Sequence, residues 1–379
     1  MQIAQQRFDS VPTSDALRPL GEMRPDLVLV FGSVAHFAAP GFSDGLRQSF
    51  PDSSVVGCST AGEITRRGVD NGSCVVTAIR FAGTPVRVAE APLTGIEGSF
   101  ASGEDLARRL AGPGLAGALV FGRGLGINGS ALIDGMASVL GADLPISGGL
   151  AGDDGAFQRT LILTPSGVFD DRVVAIGFFG GRLRLGHGSF GGWEPFGPTR
   201  RVTRAEGNIL FELDGEPALN IYKRYLGEYA KDLPASGLLF PFEMLDEGHA
   251  RVGLIRTILG IDEAAGSLIL AGAIDPSGYL RLMHASPDAL VQGAEQAART
   301  AAPGDRGDAP ALAVLVSCVG RKLVMGDQVD DEIDAVVEHL GEAVTVAGFY
   351  SYGEICPTRG GSDCRLHNQT MTVTLLAED

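Results

Sequence analysis

The chain is 379 residues long, 45% hydrophobic and 20% charged, a balance that excludes wholesale disorder and favours two or three domains with their own cores. Its net charge of −16 argues against nucleic acid and anionic lipid, both of which call for clustered Lys and Arg. Glycine is the outlier at 54 residues, a supply suited to tight turns and close backbone approach.

The N-terminus, Met1-Gln2-Ile3-Ala4-Gln5-Gln6-Arg7-Phe8, lacks the apolar core of a signal peptide. No apolar run is long enough to span a bilayer, so membrane insertion is not expected. Five scattered cysteines, an odd number, read as reduced thiols of a cytoplasmic protein. Residues 28–31 (Val-Leu-Val-Phe) form a short apolar run with the pattern of a buried strand. A helix follows with a thin stripe of Phe42, Leu46 and Phe50, then a second strand at Val55-Val56. That strand leads into Gly57-Cys58-Ser59-Thr60-Ala61-Gly62-Glu63, and a further strand covers 74–79.

Ninety residues on, the same order returns without a gap. Residues 118–121 (Ala-Leu-Val-Phe) are the strand, and Ile133, Met136, Ala137 and Leu140 mark one helix face. Pro145-Ile146 then leads into Ser147-Gly148-Gly149-Leu150-Ala151-Gly152-Asp153, with a strand at 160–164. Gly186–Pro198, rich in Gly and aromatics and carrying Trp193, reads as a crossover loop. Past it, a helix opens at Asp214-Gly215-Glu216-Pro217, residues 252–259 and 267–274 read as strands, and 287–299 as a helix. Residues 301–308 read as a flexible loop.

A third copy closes the chain. It runs through Val314-Leu315-Val316, the stripe Ile333, Val336, Val337 and Leu340, and Gly348-Phe349-Tyr350-Ser351-Tyr352-Gly353-Glu354, with a strand at 370–376. The repeating unit is therefore strand–helix–strand–strand, and burying both sheet and helix stripe requires stacked layers. The expected fold is α/β (α+β): stacked mixed β-sheets with outer helices, in two domains. These are residues 25–197, containing the duplication 27–80 and 117–170 as a twofold-related pair, and residues 203–376.

The glycine-rich segments 57–63 and 348–357, with Leu366-His367-Asn368-Gln369-Thr370, resemble those of the FIST proteins. Further matches are Ser317-Cys318-Val319-Gly320-Arg321, residues 202–208, Asp214-Gly215-Glu216-Pro217-Ala218-Leu219 and residues 233–241. The resemblance covers about residues 25–376 and implies an N-terminal and a C-terminal FIST domain. It implies a cytosolic sensory module that binds a small molecule, amino acids among the proposed ligands, and signals through another protein. Some members are haem-containing nitric-oxide sensors that regulate histidine kinases or cyclic-di-GMP enzymes, so haem is a second expectation.

Glu63, Asp153 and Glu354 each follow a Gly at one repeat position. For the first two the expected role is to hold turn amides. Around Glu354 the sequence gathers Cys318, Arg321, Tyr350, Tyr352 and Asn368, donors beside aromatic faces, and these six are the predicted ligand site. For haem, the axial candidates are His187, whose glycine neighbours allow close ring approach, and His367. No His or Cys spacing suggests a metal site. The glycine segment lacks the spacing and following helix of a serine-hydrolase elbow. An enzyme is not expected; the alternative is a hydrolase or transferase using Cys318 or Cys58 as nucleophile.

Overall fold

The computed structural model describes residues 1–302, 309–358 and 363–379, so most of the loop predicted at 301–308 lies outside the described residues. The first unit runs β1 (Gln2–Phe8), α1 (Ser14–Glu22), β2 (Leu27–Gly32), α2 (Val34–Phe37), α3 (Phe42–Ser49) and β3 (Ser54–Ser59). A hairpin of β4 (Glu63–Thr65) and β5 (Gly68–Asp70) and a last strand, β6 (Cys74–Arg80), complete it. The second unit repeats that order with β7 (Val86–Pro92), α4 (Ser99–Leu110), β8 (Leu115–Gly122), α5 (Gly129–Leu140) and β9 (Ile146–Leu150). Its hairpin is β10 (Ile162–Thr164) and β11 (Gly167–Phe169), and its last strand β12 (Arg172–Phe179).

The third unit begins with β13 (Leu183–Phe190) and is then interrupted. The insertion holds β14 (Glu194–Glu206), β15 (Ile209–Leu213), β16 (Glu216–Pro217), α6 (Ala218–Leu226), β17 (Phe242–Leu245) and β18 (Arg251–Arg256). It ends with β19 (Ile258–Asp262), β20 (Ser267–Leu270) and β21 (Tyr279–His284). The unit resumes with α7 (Pro287–Ala301), β22 (Ala311–Cys318), α8 (Val319–Met325), α9 (Val329–Leu340) and β23 (Val344–Ser351). Its hairpin is β24 (Gly353–Pro357) and β25 (Cys364–His367), and its last strand β26 (Met371–Glu378).

Each unit gives its hairpin away. The sheet orders are β1-β6-β2-β3-β10-β11, β7-β12-β8-β9-β24-β25 and β13-β26-β22-β23-β4-β5. Unit two completes the sheet of unit one, unit three that of unit two, and unit one that of unit three. The twofold-related pair expected for the N-terminal half is thus two members of a cycle of three. The third repeat closes on the same core as the first two, while the insertion forms a separate sheet, β18-β17-β21-β14-β15-β20-β19. The break expected between residues 197 and 203 lies inside β14 of that sheet.

The three sheets turn their inner faces to a shared apolar centre. There Phe31, Phe121 and Phe349 meet, with ring centroids 5.5 Å apart for Phe31–Phe121 and 4.8 Å for Phe31–Phe349. The helices lie outside in pairs. Asn128 caps α5 by accepting from Ala131 N at 3.0 Å, and Ser286 caps α7 with Pro287 in its first turn. In each unit the central strands run parallel, β2 with β3, β8 with β9 and β22 with β23. One glycine per unit makes that pairing possible. A Cβ at Gly57, Gly148 or Gly348 would fall 1.7–2.0 Å from the carbonyl of Val30, Val120 or Leu315. Residues 186–198, expected as a crossover loop, instead belong mostly to β13 and β14. Gly186 and Gly188 let β13 lie against α7, where a Cβ would sit 1.9 Å from Ala301 O or Ala297 O.

Candidate functional site

The parallel strands of all three units end at one place, and their glycine-rich segments are tied together by backbone hydrogen bonds. Ala61 N donates to Tyr350 O (2.8 Å) and Tyr350 N to Gly62 O (2.8 Å). Gly152 N donates to Ser59 O (2.9 Å) and Tyr352 N to Leu150 O (3.1 Å), which closes the ring.

The carboxylate after each glycine has a defined task in this junction. Thr60 Oγ1 donates to Glu63 Oε1, while Ser73 N (3.0 Å) and Oγ (2.8 Å) donate to Oε2. In the third unit Ser351 Oγ donates to Glu354 Oε1 (2.8 Å), and Thr370 N (3.1 Å) and Oγ1 (2.9 Å) to Oε2. The two glutamates make the same latch between the segment and the strand that follows. Asp153 accepts from Phe157 N, Gln158 N and Arg159 N at 2.7–2.8 Å and from the Tyr352 hydroxyl. Burial pushes the Glu354 carboxyl up to about 7 against the pull of these donors, and raises that of Glu63.

The six residues predicted as a ligand site divide between neighbouring networks. Arg321 is fully buried and pairs with Glu332, Nη2 to Oε2 at 2.6 Å and Nε to Oε2 at 3.1 Å. The Tyr350 hydroxyl and Ser317 Oγ donate to the other oxygen of Glu332. Tyr352 holds Asp153 and stacks on Phe157 with ring centroids 4.3 Å apart. Glu354 belongs to its latch. Asn368 is buried, and its Oδ1 has no partner among the described residues. Cys318 is buried as well, and burial pushes its thiol far up, as it does that of Cys58. Neither is set up as a thiolate.

The haem candidates stand apart from this junction. His187 Nδ1 is 2.9 Å from Ser147 Oγ, and α7 fills the space beside its glycine neighbours that a macrocycle would need. His367 is buried with Nε2 3.1 Å from Cys356 O. Burial lowers both imidazoles to about 4. His187 Nε2 is buried and has no partner among the described residues, and neither ring lines the cleft beside the junction. Among the described residues no group of His, Cys, Asp and Glu is placed to hold a metal ion, and no helix is long and apolar enough to cross a membrane.

Beside the junction lies a cleft of about 290 Å³, lined by Ser33, Thr60 and Glu63 of the first unit and Asp153, Asp154 and Arg159 of the second. Lys322 of the third unit reaches across its edge. Its Nζ donates to Ala61 O and Asn71 Oδ1, both at 2.5 Å, and lies 3.2 Å from Asp154 Oδ1. Lys322 and Asp154 went unmarked in the sequence because both lie just outside the repeated segments. The cleft holds both signs of charge at the carboxyl ends of parallel strands, where α/β sheets commonly take ligands.

Family comparison agrees with the resemblance. A FIST N domain model matches residues 26–216 and a FIST C domain model residues 218–357. The chain belongs to the FIST family. FIST domains are sensory modules of a small-ligand-binding type. An uncharacterized protein of Methanocaldococcus jannaschii is 42% identical over 99 residues, 24% of this chain and 18% of that protein. An uncharacterized protein of Mycobacterium tuberculosis is 28% identical over 225 residues, 56% of this chain and 57% of its own. One from Mycobacterium bovis is 28% identical over 198 residues, 50% and 49% of the two chains. In each case less than two thirds of the relative's length is spanned. Among solved structures, a cyanuric acid hydrolase from A. caulinodans aligns over 99% of this chain and 98% of its own, at 10% identity and a TM-score of 0.36.

Proposed function

We propose that this protein is a cytoplasmic sensor whose small ligand sits in the junction cleft and whose signal passes to a separate protein. The carrying observation is that all three units meet at this cleft: units one and two line it, and Lys322 of unit three closes its edge. A ligand there bears on every unit at once. Asp154 and Arg159 offer exposed charges of opposite sign, which suits a zwitterion such as an amino acid, its ammonium toward Asp154 and its carboxylate toward Arg159. The partner class is the one the family resemblance implies, a histidine kinase or a cyclic-di-GMP enzyme. Against the enzymatic alternative stand two buried thiols, each with its pKa raised.

The test is thermal stabilisation and calorimetry of the full chain against the amino acids, in parent, Asp154→Asn and Arg159→Ala. We expect one or a few amino acids to raise the melting temperature of the parent, and each variant to lose most of the shift. Equal shifts in all three would overturn the placement. Cysteine-dependent turnover of ester or thioester panels would overturn the sensor reading.

A further inference from the structure

A second cleft, of about 220 Å³, opens where the inserted sheet meets the three-unit core. Its walls come from both parts: Ile133 and Asp134 of α5 and Arg365 of β25 from the core, Arg256 of β18 and Asp275 from the insertion. Arg256 is the anomaly. It is 3% exposed, yet no carboxylate pairs with it among the described residues. Its Nε donates to Ala273 O (3.0 Å) and its Nη1 to Ile255 O (3.1 Å) and Leu366 O (3.3 Å). These carbonyls orient the guanidinium but carry no charge, and Nη2, beside the cleft that Arg256 lines, donates to no described residue. A buried cation without a counter-charge is costly, and burial together with the nearby Arg365 lowers this guanidinium to about 10.

We propose that the seam cleft is an anion site, in which Arg256 and Arg365 bind a small monocarboxylate that carries a neighbouring hydroxyl or ammonium donor. A carboxylate matches the planar fork of arginine. Arg365 is already shared with Asp363 at 2.6 Å, and Asp134 and Asp275 also face the cleft, so a dianion meets three carboxylates. A monoanion with an adjacent donor satisfies both walls, the donor toward Asp134 or Asp275. Because the walls belong to different parts of the molecule, occupancy ties the insertion to the core. The site is independent of the junction cleft.

The experiment titrates the full chain with sodium lactate, with sodium phosphate and with sodium chloride at matched ionic strength, by calorimetry and hydrogen exchange. Lactate is expected to bind and to slow amide exchange in 251–256 and 364–367, while phosphate and chloride do not. Arg256→Met should abolish binding. Arg365→Gln, altering a half-exposed side chain whose ion pair with Asp363 lies at the surface, should weaken it at least tenfold. Asp154→Asn, at the other cleft, should leave lactate binding unchanged, so failure of the junction proposal and failure of this one are distinguishable. No lactate binding to the parent chain, tighter binding of phosphate, or undiminished lactate binding by Arg365→Gln would each overturn the proposal.

Discussion

Among the described residues two arginines are withdrawn from water, and they are treated in opposite ways. Arg321, in the three-unit core, faces Glu332 with both side chains fully buried, and its remaining donors go to Gly191 O and Leu290 O. Arg256, at the seam, has carbonyls and no carboxylate. The first is a closed network that fixes α8 and α9 against β22 and β23. The second keeps a charge and a donor unspent beside a cleft. Burial alone thus says little about role. Whether the counter-charge is supplied by the chain distinguishes a side chain that holds the fold from one that waits for a ligand.

The sharpest way to break that comparison is to remove the counter-charge from the closed network. Glu332→Gln leaves Arg321 as isolated as Arg256, and also weakens the acceptor for Tyr350 and Ser317. We expect a loss of about 3–5 kcal/mol in urea unfolding, the usual cost of breaking a buried pair from one side. If the loss is under about 1 kcal/mol, Arg321 is not held by charge and the contrast with Arg256 collapses.

Both arginines carried a sequence signal that the repeat obscured. Glu332 stands four residues before Val336 on the buried stripe of α9, a position a surface carboxylate does not take. Asp330 and Asp331 precede it in the same acidic first turn, which masks that position. Arg256 stands two residues from buried Leu254 and two from buried Ile258, so period two already places it on their inward face. The glycine segments and their carboxylates were legible because three copies repeat them. Of the leading strands and helices of the three units, only the helix of the third, at 287–299, was. In the third unit the insertion separates β13 from α7, and what the units keep in common there is packing, with little residue identity. Hairpin exchange had no local signal either, since β4, β10 and β24 find partners in other units.

Protonation offers a second way to sharpen the contrast between groups the chain satisfies and groups it merely buries. Burial lowers His187 and His367 from 6.5 to about 4. Their contribution is present above pH 6.5 and is lost as pH falls toward 4. Glu354 moves the other way, from 4.5 to about 7, so its contribution is present below pH 4.5 and is lost as pH rises through 7. Between pH 5 and 6.5 two histidines oppose one glutamate. The net is about one proton taken up on unfolding near pH 5–5.5 and a fraction of one by pH 6.5, so stability should rise with pH by about 1 kcal/mol per unit at the acid end of that window and flatten toward pH 6.5. Urea midpoints across that range check the sign. Glu354→Gln should steepen the slope, and His367→Gln should bring it near zero.

The matching latches give a smaller effect and a test of the repeat itself. Glu63→Gln and Glu354→Gln each turn an acceptor-only carboxylate into an amide that cannot take all of its present donors. Both should cost about 1–3 kcal/mol, and by similar amounts at pH 8, where each wild-type group is least protonated. A large loss at one site and none at the other would mean that the repeated Gly-carboxylate pair does different work in the two units.

The smallest change in stability is expected at the junction cleft. Asp154 is 71% exposed, and its 3.2 Å contact with Lys322 Nζ is a surface pair, worth about 0–1 kcal/mol. Lys322 also keeps Ala61 O and Asn71 Oδ1, so Asp154→Asn leaves the ammonium held at the junction. The melting temperature without ligand should stay within about 1–2 °C of the parent's, since a few tenths of a kcal/mol moves a chain of this size little. Ligand-induced stabilisation should nevertheless disappear. That dissociation of binding from folding is what separates an open site from a closed network. A variant that unfolds several degrees early would place Asp154 with Glu332, among the groups whose counter-charge the fold requires.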